Sequence, residues 1–439
     1  MSKKILPFLI ALAALLLTGC NMRTVDQMYC LPKRPESYNN LQSIMDQAMI
    51  GKDYFAPISG ENQQTVQMAD LDGDGNQEYL LFAKCSGDKP LQVLVFNQKG
   101  EDYFLSDVIE STGSAFELVE YAQMDDRPGM ELILGRQVSE QVVRTLSVYT
   151  FSDGALKQVL STNYTKFFSC DLDADGLQEL MVLRPGQTDT DNGVAELYGM
   201  EQGVMARYNE SSMSCSVDKL KRVIMGNLHG GIPGVFVGST VEENAIITDV
   251  YTVVDGQFRN VSLSNDSGTS VKTLRNYYVY ADDIDADREV ELPYLISMTP
   301  IEQGRSMERQ YLIRWYAMQA DGTEVDKMYT YHNFVGGWYL SLNSHLAAGI
   351  SVVQNGNAYE FYLSDSASAE YSHLFTVFSL AGQDREQLAA QDERFVLYRT
   401  ESTVYAAYLA SASAVHSILP EDLIAGFHLI RLDWKSGEM

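Results

Sequence analysis

The sequence predicts a mainly β fold: a β-propeller of about five to six four-stranded blades, followed by a small α+β domain. Two observations predict it. An acidic, glycine-punctuated loop returns at intervals of about fifty residues, each copy flanked by short β-branched and aromatic runs. After Val335 this grammar stops and a different mixture of strands and helices begins.

The chain opens with Lys3 and Lys4, then an apolar run from Ile5 to Leu17 that is short for a bilayer span. It ends in Leu17, Thr18, Gly19 and Cys20. This arrangement resembles the lipobox of bacterial lipoproteins. The resemblance implies a signal peptide over residues 1–19, lipidation of Cys20, and a chain held at the outer face of the cytoplasmic membrane. Stable anchoring then needs two or more acyl chains. Residues 20–37 are polar, carry Pro32 and Pro35, and suit a tether. Tyr38 to Met49 reads as a helix, because Leu41, Ile44, Met45 and Met49 share one face.

Residues 38–336 hold this helix and the repeats. Three segments match one another, beginning at Asp70, Asp171 and Asp283. Degenerate copies lie near the midpoints, at Asp125 to Glu131 and at Asn227 to Gly234, so five units run from about Thr65 to about Val335. In each unit a strand enters the loop, as at Val66 to Ala69 or Tyr277 to Tyr280. A second strand leaves it, as at Tyr79 to Phe82 or Leu180 to Leu183. A third alternating strand follows, as at Leu91 to Phe96 or Tyr311 to Tyr316, and a Gly-bearing turn leads to a fourth. Four strands per unit, repeated radially, leave only short protected sheet edges. A sixth blade is open to completion by Trp338 to Leu342 or by the N-terminal segment.

Carboxylates at loop positions 1, 3 and 5, with Gly at 6, bring several oxygens toward one point, which suits calcium and its six to eight oxygen ligands. The first loop offers Asp70, Asp72, Asp74, the carbonyl of Asn76, and Glu78. The second offers Asp171, Asp173, Asp175, the carbonyl of Leu177, and Glu179. The third offers Asp283, Asp285, Asp287 and Glu291, with Arg288 where the others have Gly. The last acid stands at position 9. Leu81, Val182 and Tyr294 occupy position 12, which excludes EF-hand and dockerin-type loops. The 1-3-5-9 pattern between two strands resembles the FG-GAP and VCBS-type repeats of integrin-α-like propellers. That resemblance implies a propeller, two to three structural calcium ions, and a place outside the cell; it implies no enzyme activity. The Arg127-Pro128 and His229-Gly230 versions are expected to bind nothing. Pro32 to Pro35 and Asn333 to Tyr339 also resemble uncharacterised lipoproteins of clostridial gut bacteria.

Residues 337–439 form the expected α+β domain. Strands are predicted at Gly349 to Val353, Tyr359 to Leu363, Leu374 to Leu380, Phe395 to Tyr398 and Val404 to Leu409, with a short helix at Asp384 to Gln391. Pro420 opens a final helix whose apolar stripe is Leu423, Ile424, Phe427, Ile430 and Trp434.

The formal net charge of −27 argues against nucleic acid and against lying flat on an anionic membrane. The cysteines Cys30, Cys85, Cys170 and Cys215 form no CxxC pair, so disulfides and free thiols both stand open. No GxSxG, HExxH, P-loop or GxGxxG signature is present, and the six His are scattered. The first functional reading is a surface binding or scaffold protein for an unknown surface protein or glycan. The alternatives are an extracellular enzyme acting on glycans or cell-wall polymer, and an envelope assembly factor.

Overall fold

The computed structural model describes residues 36–138, 144–188, 191–201, 203–241, 245–277, 279–298, 301, 310–364 and 370–431. Cys20, Cys30, the expected leader and Trp434 lie outside the described residues.

Six antiparallel sheets follow one another along the chain in propeller fashion. Helix α1 (Glu36–Ala48) precedes the first sheet, made of β1 (Asp53–Tyr54), β2 (Val66–Ala69), β3 (Glu78–Lys84), β4 (Leu91–Lys99) and β5 (Asp102–Ser111). The second holds β6 (Ala115–Ala122), β7 (Glu131–Gln137), β8 (Arg144–Ser152) and β9 (Ala155–Tyr164). The third holds β10 (Lys166–Cys170), β11 (Glu179–Arg184), β12 (Val194–Glu201) and β13 (Val204–Ser212). The fourth holds β14 (Leu220–Leu228), β15 (Ile232–Thr240), β16 (Ile246–Val254) and β17 (Gln257–Asn260). The fifth holds β18 (Glu291–Ser297), β19 (Tyr311–Met318), β20 (Glu324–Asn333) and β21 (Trp338–Leu342).

The sheets stack face to face, and the core is a series of layers between them. Phe82 and Val93 of the first sheet meet Phe116 and Leu132 of the second. Ile133 and Val148 meet Leu180 and Val182, and Met181 and Leu197 meet Val235 and Tyr251. Phe236 and Val250 meet Leu292 and Tyr316. Second and third strands are therefore buried on both faces, so the third strand, expected to alternate, is instead buried on both sides from Leu91 to Phe96. Fourth strands such as β5 and β9 are half exposed and carry the alternation.

The expected α+β portion is the sixth sheet with short helices around it. After α2 (Ser344–Ala347) come β22 (Ile350–Asn355), β23 (Ala358–Ser364), β24 (Tyr371–Ala381), helix α3 (Arg385–Ala389), β25 (Phe395–Arg399) and β26 (Thr403–Leu409). The sheet order is β22-β23-β24-β26-β25, so the first three strands meander as in the earlier sheets. Its core is continuous with the fifth sheet: Leu312, Trp338 and Leu340 pack with Phe361, Phe375 and Val377. The outermost faces are closed by helices. Leu41, Met45 and Met49 of α1 cover Leu81, Ala83, Leu94 and Phe96, while Ala389 of α3 packs on Leu380, Val404 and Ala406.

Three expectations are corrected. Trp338–Leu342 lies beyond the expected boundary at 336/337, yet it is the fourth strand of the fifth sheet, paired with β20 from Asn333↔Trp338 to Tyr329↔Leu342. It does not complete a sixth blade. The final helix, α4 (Pro420–Gly426), ends where Phe427–Leu429 turns into β27 and pairs with Trp338–Leu340. Phe427 thereby stacks on Trp338 at 5.5 Å instead of extending a helical stripe. Among the described residues of the expected strand at Tyr277 to Tyr280, none lies in a strand, and the single bridges Ile246↔Arg275 and Asp282↔Glu291 flank them. Buried Arg275 explains this: its guanidinium donates to the carbonyls of Thr273 and Val279 and to the Thr248 hydroxyl, curling the chain around itself. The degenerate copy at Asn227 to Gly234 is a tight hairpin between β14 and β15, with Gly231 N–H on the Leu228 carbonyl.

Candidate metal centres and an axial cavity

The three acidic loops join the first strand, or the Asp282 bridge, to the second strand of sheets one, three and five. Each builds nearly the same hydrogen-bond frame from its own backbone. The position-9 carboxylate reaches back to the position-2 N–H: Glu78 to Leu71 at 2.7 Å, Glu179 to Leu172 at 2.8 Å, Glu291 to Ile284 at 3.0 Å. The position-1 carboxylate accepts from the position-6 N–H: Asp70 from Gly75, Asp171 from Gly176, Asp283 from Arg288. Position 3 accepts from position 5, and position 5 from position 7, in all three loops.

This winding needs left-handed backbone at positions 4 and 6. Gly73 and Gly75 supply it in the first loop at φ 73° and 87°. Ala174, Ala286 and Arg288 adopt it as non-glycine residues at φ 62°, 63° and 74°. Each such residue stores about 1 kcal/mol or more of strain. Arg288 thus replaces Gly without changing the path of the loop.

The frame gathers three carboxylates in each loop. One oxygen from each of Asp70, Asp72 and Glu78 lies within 4.8 Å of the others, and the same holds for Asp171, Asp173, Glu179 and for Asp283, Asp285, Glu291. Oxygens 2.3–2.6 Å from one calcium ion are separated by up to about 5 Å, so the spacing fits one ion per loop. Glu78 is 2% exposed and Glu291 0%, yet Oε1 of each receives no hydrogen bond, and neither does the buried Asp171 Oδ1. Burial, reinforced by the neighbouring aspartates, pushes Glu78 and Glu179 up to about 7 and Glu291 up to about 8. Position-5 acids stand apart from these triads. Asp74 and Asp175 bond the loop backbone, and Asp287 holds Lys327 at 2.5 Å.

The second sheet provides an internal comparison. Met124 N–H donates to Glu131 Oε2 at 3.0 Å, so Met124 holds position 2 and Gln123, not Asp125, position 1. Arg127 falls at position 5, and its guanidinium donates twice to Asp125 Oδ2, at 2.5 and 2.7 Å. The Thr150 hydroxyl donates to Glu131 Oε1 at 2.9 Å. Here a hydroxyl satisfies the counterpart of the oxygen that Glu78 and Glu291 leave unmatched, and a resident guanidinium stands beside it on Asp125. The fifth sheet is intermediate. Lys327 also pairs with Glu289 at 2.7 Å, and Glu289 accepts from Gly230 N–H and contacts His229. Burial opposes ionisation of Glu289, but these partners outweigh it and lower it to about 2.

Neighbouring loops are bolted together. Met130 N–H donates to the Asp70 carbonyl and Gln178 N–H to the Gln123 carbonyl, so the second loop is braced by the first and third. Val290 N–H donates to the Asn227 carbonyl, which ties the fourth hairpin to the fifth loop. The sequence reading missed the partners Asn97 (on Asp72 at 2.8 Å), Thr150 and Lys327. Each lies on a later strand, and no local pattern marks it.

A second feature is a cavity of about 890 Å³ where the first strands converge. Its wall takes Glu117 and Glu120 from β6, Lys166 and Phe168 from β10, Arg222 and Met225 from β14, Asp282 from the fifth-sheet bridge, and Arg431 after β27. Arg144 and Tyr164 hold Glu117 Oε2 at 2.9 and 3.1 Å, and Ser169 holds Glu120 Oε2 at 2.9 Å. Burial, partly offset by Ser169, raises the Glu120 carboxyl above its ordinary range. Arg222 and Arg431 approach Asp282 Oδ2 at 3.9 and 3.8 Å. Cys170 and Cys215 are buried free thiols and Cys85 a half-buried one.

No protein family matches this chain, and no curated protein does. Among solved structures it is similar to a protein from Lactobacillus plantarum, at 11% identity and TM-score 0.26, over 73% of this chain and 86% of that one. It is also similar to the exotype rhamnogalacturonan lyase YesX, at 11% identity and TM-score 0.28, over 75% and 67%. A third is TolB from Acinetobacter baumannii, at 10% identity and TM-score 0.23, over 77% and 69%. Likenesses of this size carry no functional inference.

Proposed function

We propose that this protein is a lipid-anchored binding protein of the bacterial cell surface, whose propeller is stiffened by structural calcium in its acidic loops. One observation carries the calcium part. Buried Glu78 and Glu291 each present an unmatched oxygen to a carboxylate triad, whereas Glu131 in the second sheet has Thr150 on that oxygen and Arg127 beside it. An isolated buried carboxylate oxygen costs about 1–3 kcal/mol, which a coordinated cation removes. The ligand sets are Asp70, Asp72 and Glu78; Asp171, Asp173 and Glu179; and Asp283, Asp285 and Glu291, with the carbonyls of Asn76 and Leu177 completing the first two. This agrees with the FG-GAP-type resemblance of the loops. In the fifth loop, Lys327 on Asp287 competes with the ion and leaves a weaker site.

Thermal unfolding in millimolar calcium against chelator tests this. Binding to the folded state alone contributes about 1.4 kcal/mol per site at ten times Kd. Calcium is expected to raise the melting temperature, and Asp72→Ala with Asp173→Ala to remove most of the rise. An unchanged melting curve would retire the calcium reading. The anchor has its own test. Labelled fatty acid is expected on the wild-type chain grown in a Gram-positive host and to be lost in Cys20→Ser. Label retained on that variant would retire Cys20 as the anchor.

A further inference from the structure

The acidic loops of the first and third sheets are separated by the loop of the second, which holds no carboxylate triad among the described residues. That middle loop is nevertheless bonded and packed to both. On the first loop, Met130 N–H donates to the carbonyl of Asp70, a triad residue, at 2.9 Å. Beside that bond the two loops interlock without spare room. A Cβ at Gly73 would lie 2.4 Å from the Pro128 carbonyl carbon, and one at Gly129 would lie 2.6 Å from the Leu71 carbonyl oxygen. On the third-sheet loop, Gln178 N–H donates to the Gln123 carbonyl at 2.8 Å, and Gln178 immediately precedes the triad residue Glu179.

The middle loop is braced internally from one contact to the other. The Gln123 side-chain amide donates to the carbonyls of Asp125 and Arg127 at 2.7 and 2.5 Å. The Asp125 carboxylate accepts the Arg127 N–H at 2.9 Å and the Arg127 guanidinium at 2.5 and 2.7 Å. Arg127 also packs on the β12–β13 turn of the third sheet, where a Cβ at Gly203 would lie 3.4 Å from its Nη2. Bonded and packed backbone therefore runs without interruption from Asp70, through residues 123–131, to Glu179. The fifth-sheet loop has no such path. Val290 N–H bonds the Asn227 carbonyl of the fourth hairpin, and among the described residues no backbone bond joins that hairpin to residues 171–179.

Without an ion, each triad crowds carboxylate oxygens within 4.8 Å of one another, and their repulsion loosens the loop that carries them. An ion entering one loop fixes that loop and, through these bonds, the middle loop as well. The other loop then takes its ion with part of the ordering already done. We propose that the loops of the first and third sheets bind calcium cooperatively, and that the second-sheet loop, with Arg127 and Thr150 in place of an ion, is the coupler. The fifth-sheet loop lies outside this unit and binds on its own. This deepens the calcium reading and rests on it.

The test titrates calcium into the full chain in detergent, with Asp285→Ala present throughout so that only the first- and third-sheet loops are counted. Two ions with a Hill coefficient above one are expected. Asp72→Ala and Asp173→Ala each leave one site. That site is expected to bind at least about fivefold more weakly than the pair, the lower end of coupling between sites. Gln123→Ala removes the internal brace without changing any charge, and it is expected to keep two ions and lose the cooperativity. Amide hydrogen exchange gives a reading that does not depend on that variant. In Asp72→Ala calcium enters only the third-sheet loop, yet the Met130 amide, bonded to the first, is expected to gain protection. Two independent ions, single-site variants of unchanged affinity, cooperativity that survives in folded Gln123→Ala, or a Met130 amide blind to calcium would each overturn the coupling and leave the calcium reading in place. A chain that takes up no calcium at all would instead remove that reading, and the coupling with it.

Discussion

In chelator, the protein is expected to lose stability steadily as the pH rises from about 5 to about 8, and calcium is expected to abolish that loss. The cause is the trio Glu78, Glu179 and Glu291. Burial, with the adjacent aspartates, raises their folded-state values to about 7, 7 and 8 from an ordinary 4.5. A group raised on folding holds its proton longer in the native chain than in the unfolded one. Its contribution is therefore complete below the unfolded value and fades as the pH climbs through the folded value. Each unit of such a shift corresponds to about 1.4 kcal/mol, and three groups act in the same direction. A cation reverses the balance, because it binds the ionised carboxylates and needs their protons gone. Urea midpoints measured at pH 5, 6.5 and 8, with and without calcium, would show the effect. Parallel pH profiles under the two conditions would sink it. Glu131 supplies the control. Its carboxyl is also raised by burial, but Thr150 and Met124 already bond it, so calcium should leave it alone.

What the sequence revealed and what it hid divide along contact range. The loop frame is legible because each of its recurring bonds joins residues at most seven apart, as with Leu71 and Glu78. The winding, the glycine positions and the clustered acids therefore all sit in one window. Strands of the first four sheets are legible for the same reason, since each pairs with the next along the chain, apart from β1, which skips β2 to pair with β3. The sixth sheet is harder. It lacks an acidic loop, interposes α3, and reverses β25 and β26 in the sheet order, so it reads as a separate domain although its core is shared with the fifth. The strand at Phe427–Leu429 is hidden further. Its partner Trp338–Leu340 lies some ninety residues earlier, and Pro420 correctly announces a helix that simply stops early. The axial cavity had no local signal at all, because its charged residues are drawn one or two at a time from separate strands.

The cation partners show the same limit from another side. Arg127 is visible as a break in the loop pattern, and its contact with Asp125 follows from proximity. Lys327 is not visible in this way, because it reaches Asp287 across a neighbouring strand forty residues on. The fifth loop therefore differs from the first two for a reason beyond Arg288. Arg288 only adopts the left-handed turn that glycine fills elsewhere, while Lys327 places a positive charge on the position-5 carboxylate.

Replacing Asp249 by Ala is expected to cost about 2–6 kcal/mol of stability, the sum for two fixed buried donors left unmatched. Asp249 sits on β16 with 0% exposure and binds four donors. Ser214 N–H reaches Oδ2 at 2.8 Å, while the Ser214 hydroxyl, the Ser270 hydroxyl and Asn260 Nδ2 reach Oδ1 at 2.5, 2.6 and 2.8 Å. Burial raises its carboxyl, and these donors only partly offset that. The two hydroxyls can rotate toward other acceptors once the carboxylate is gone. The Ser214 backbone N–H and the Asn260 amide cannot, and each fixed donor left buried costs about 1–3 kcal/mol. The network also joins two sheets, because Ser214 follows β13 of the third and Asp249 belongs to the fourth. Asp249→Asn keeps the shape but points an amide toward donors, so its cost is expected to fall below that of Ala without vanishing. Chemical denaturation of the two variants would decide the matter. A loss under about 1 kcal/mol for Asp249→Ala would mean that the donors find other partners and that the junction between the third and fourth sheets is held without it, by the apolar layer of Leu197, Val235 and Tyr251 and by the remaining bonds across it.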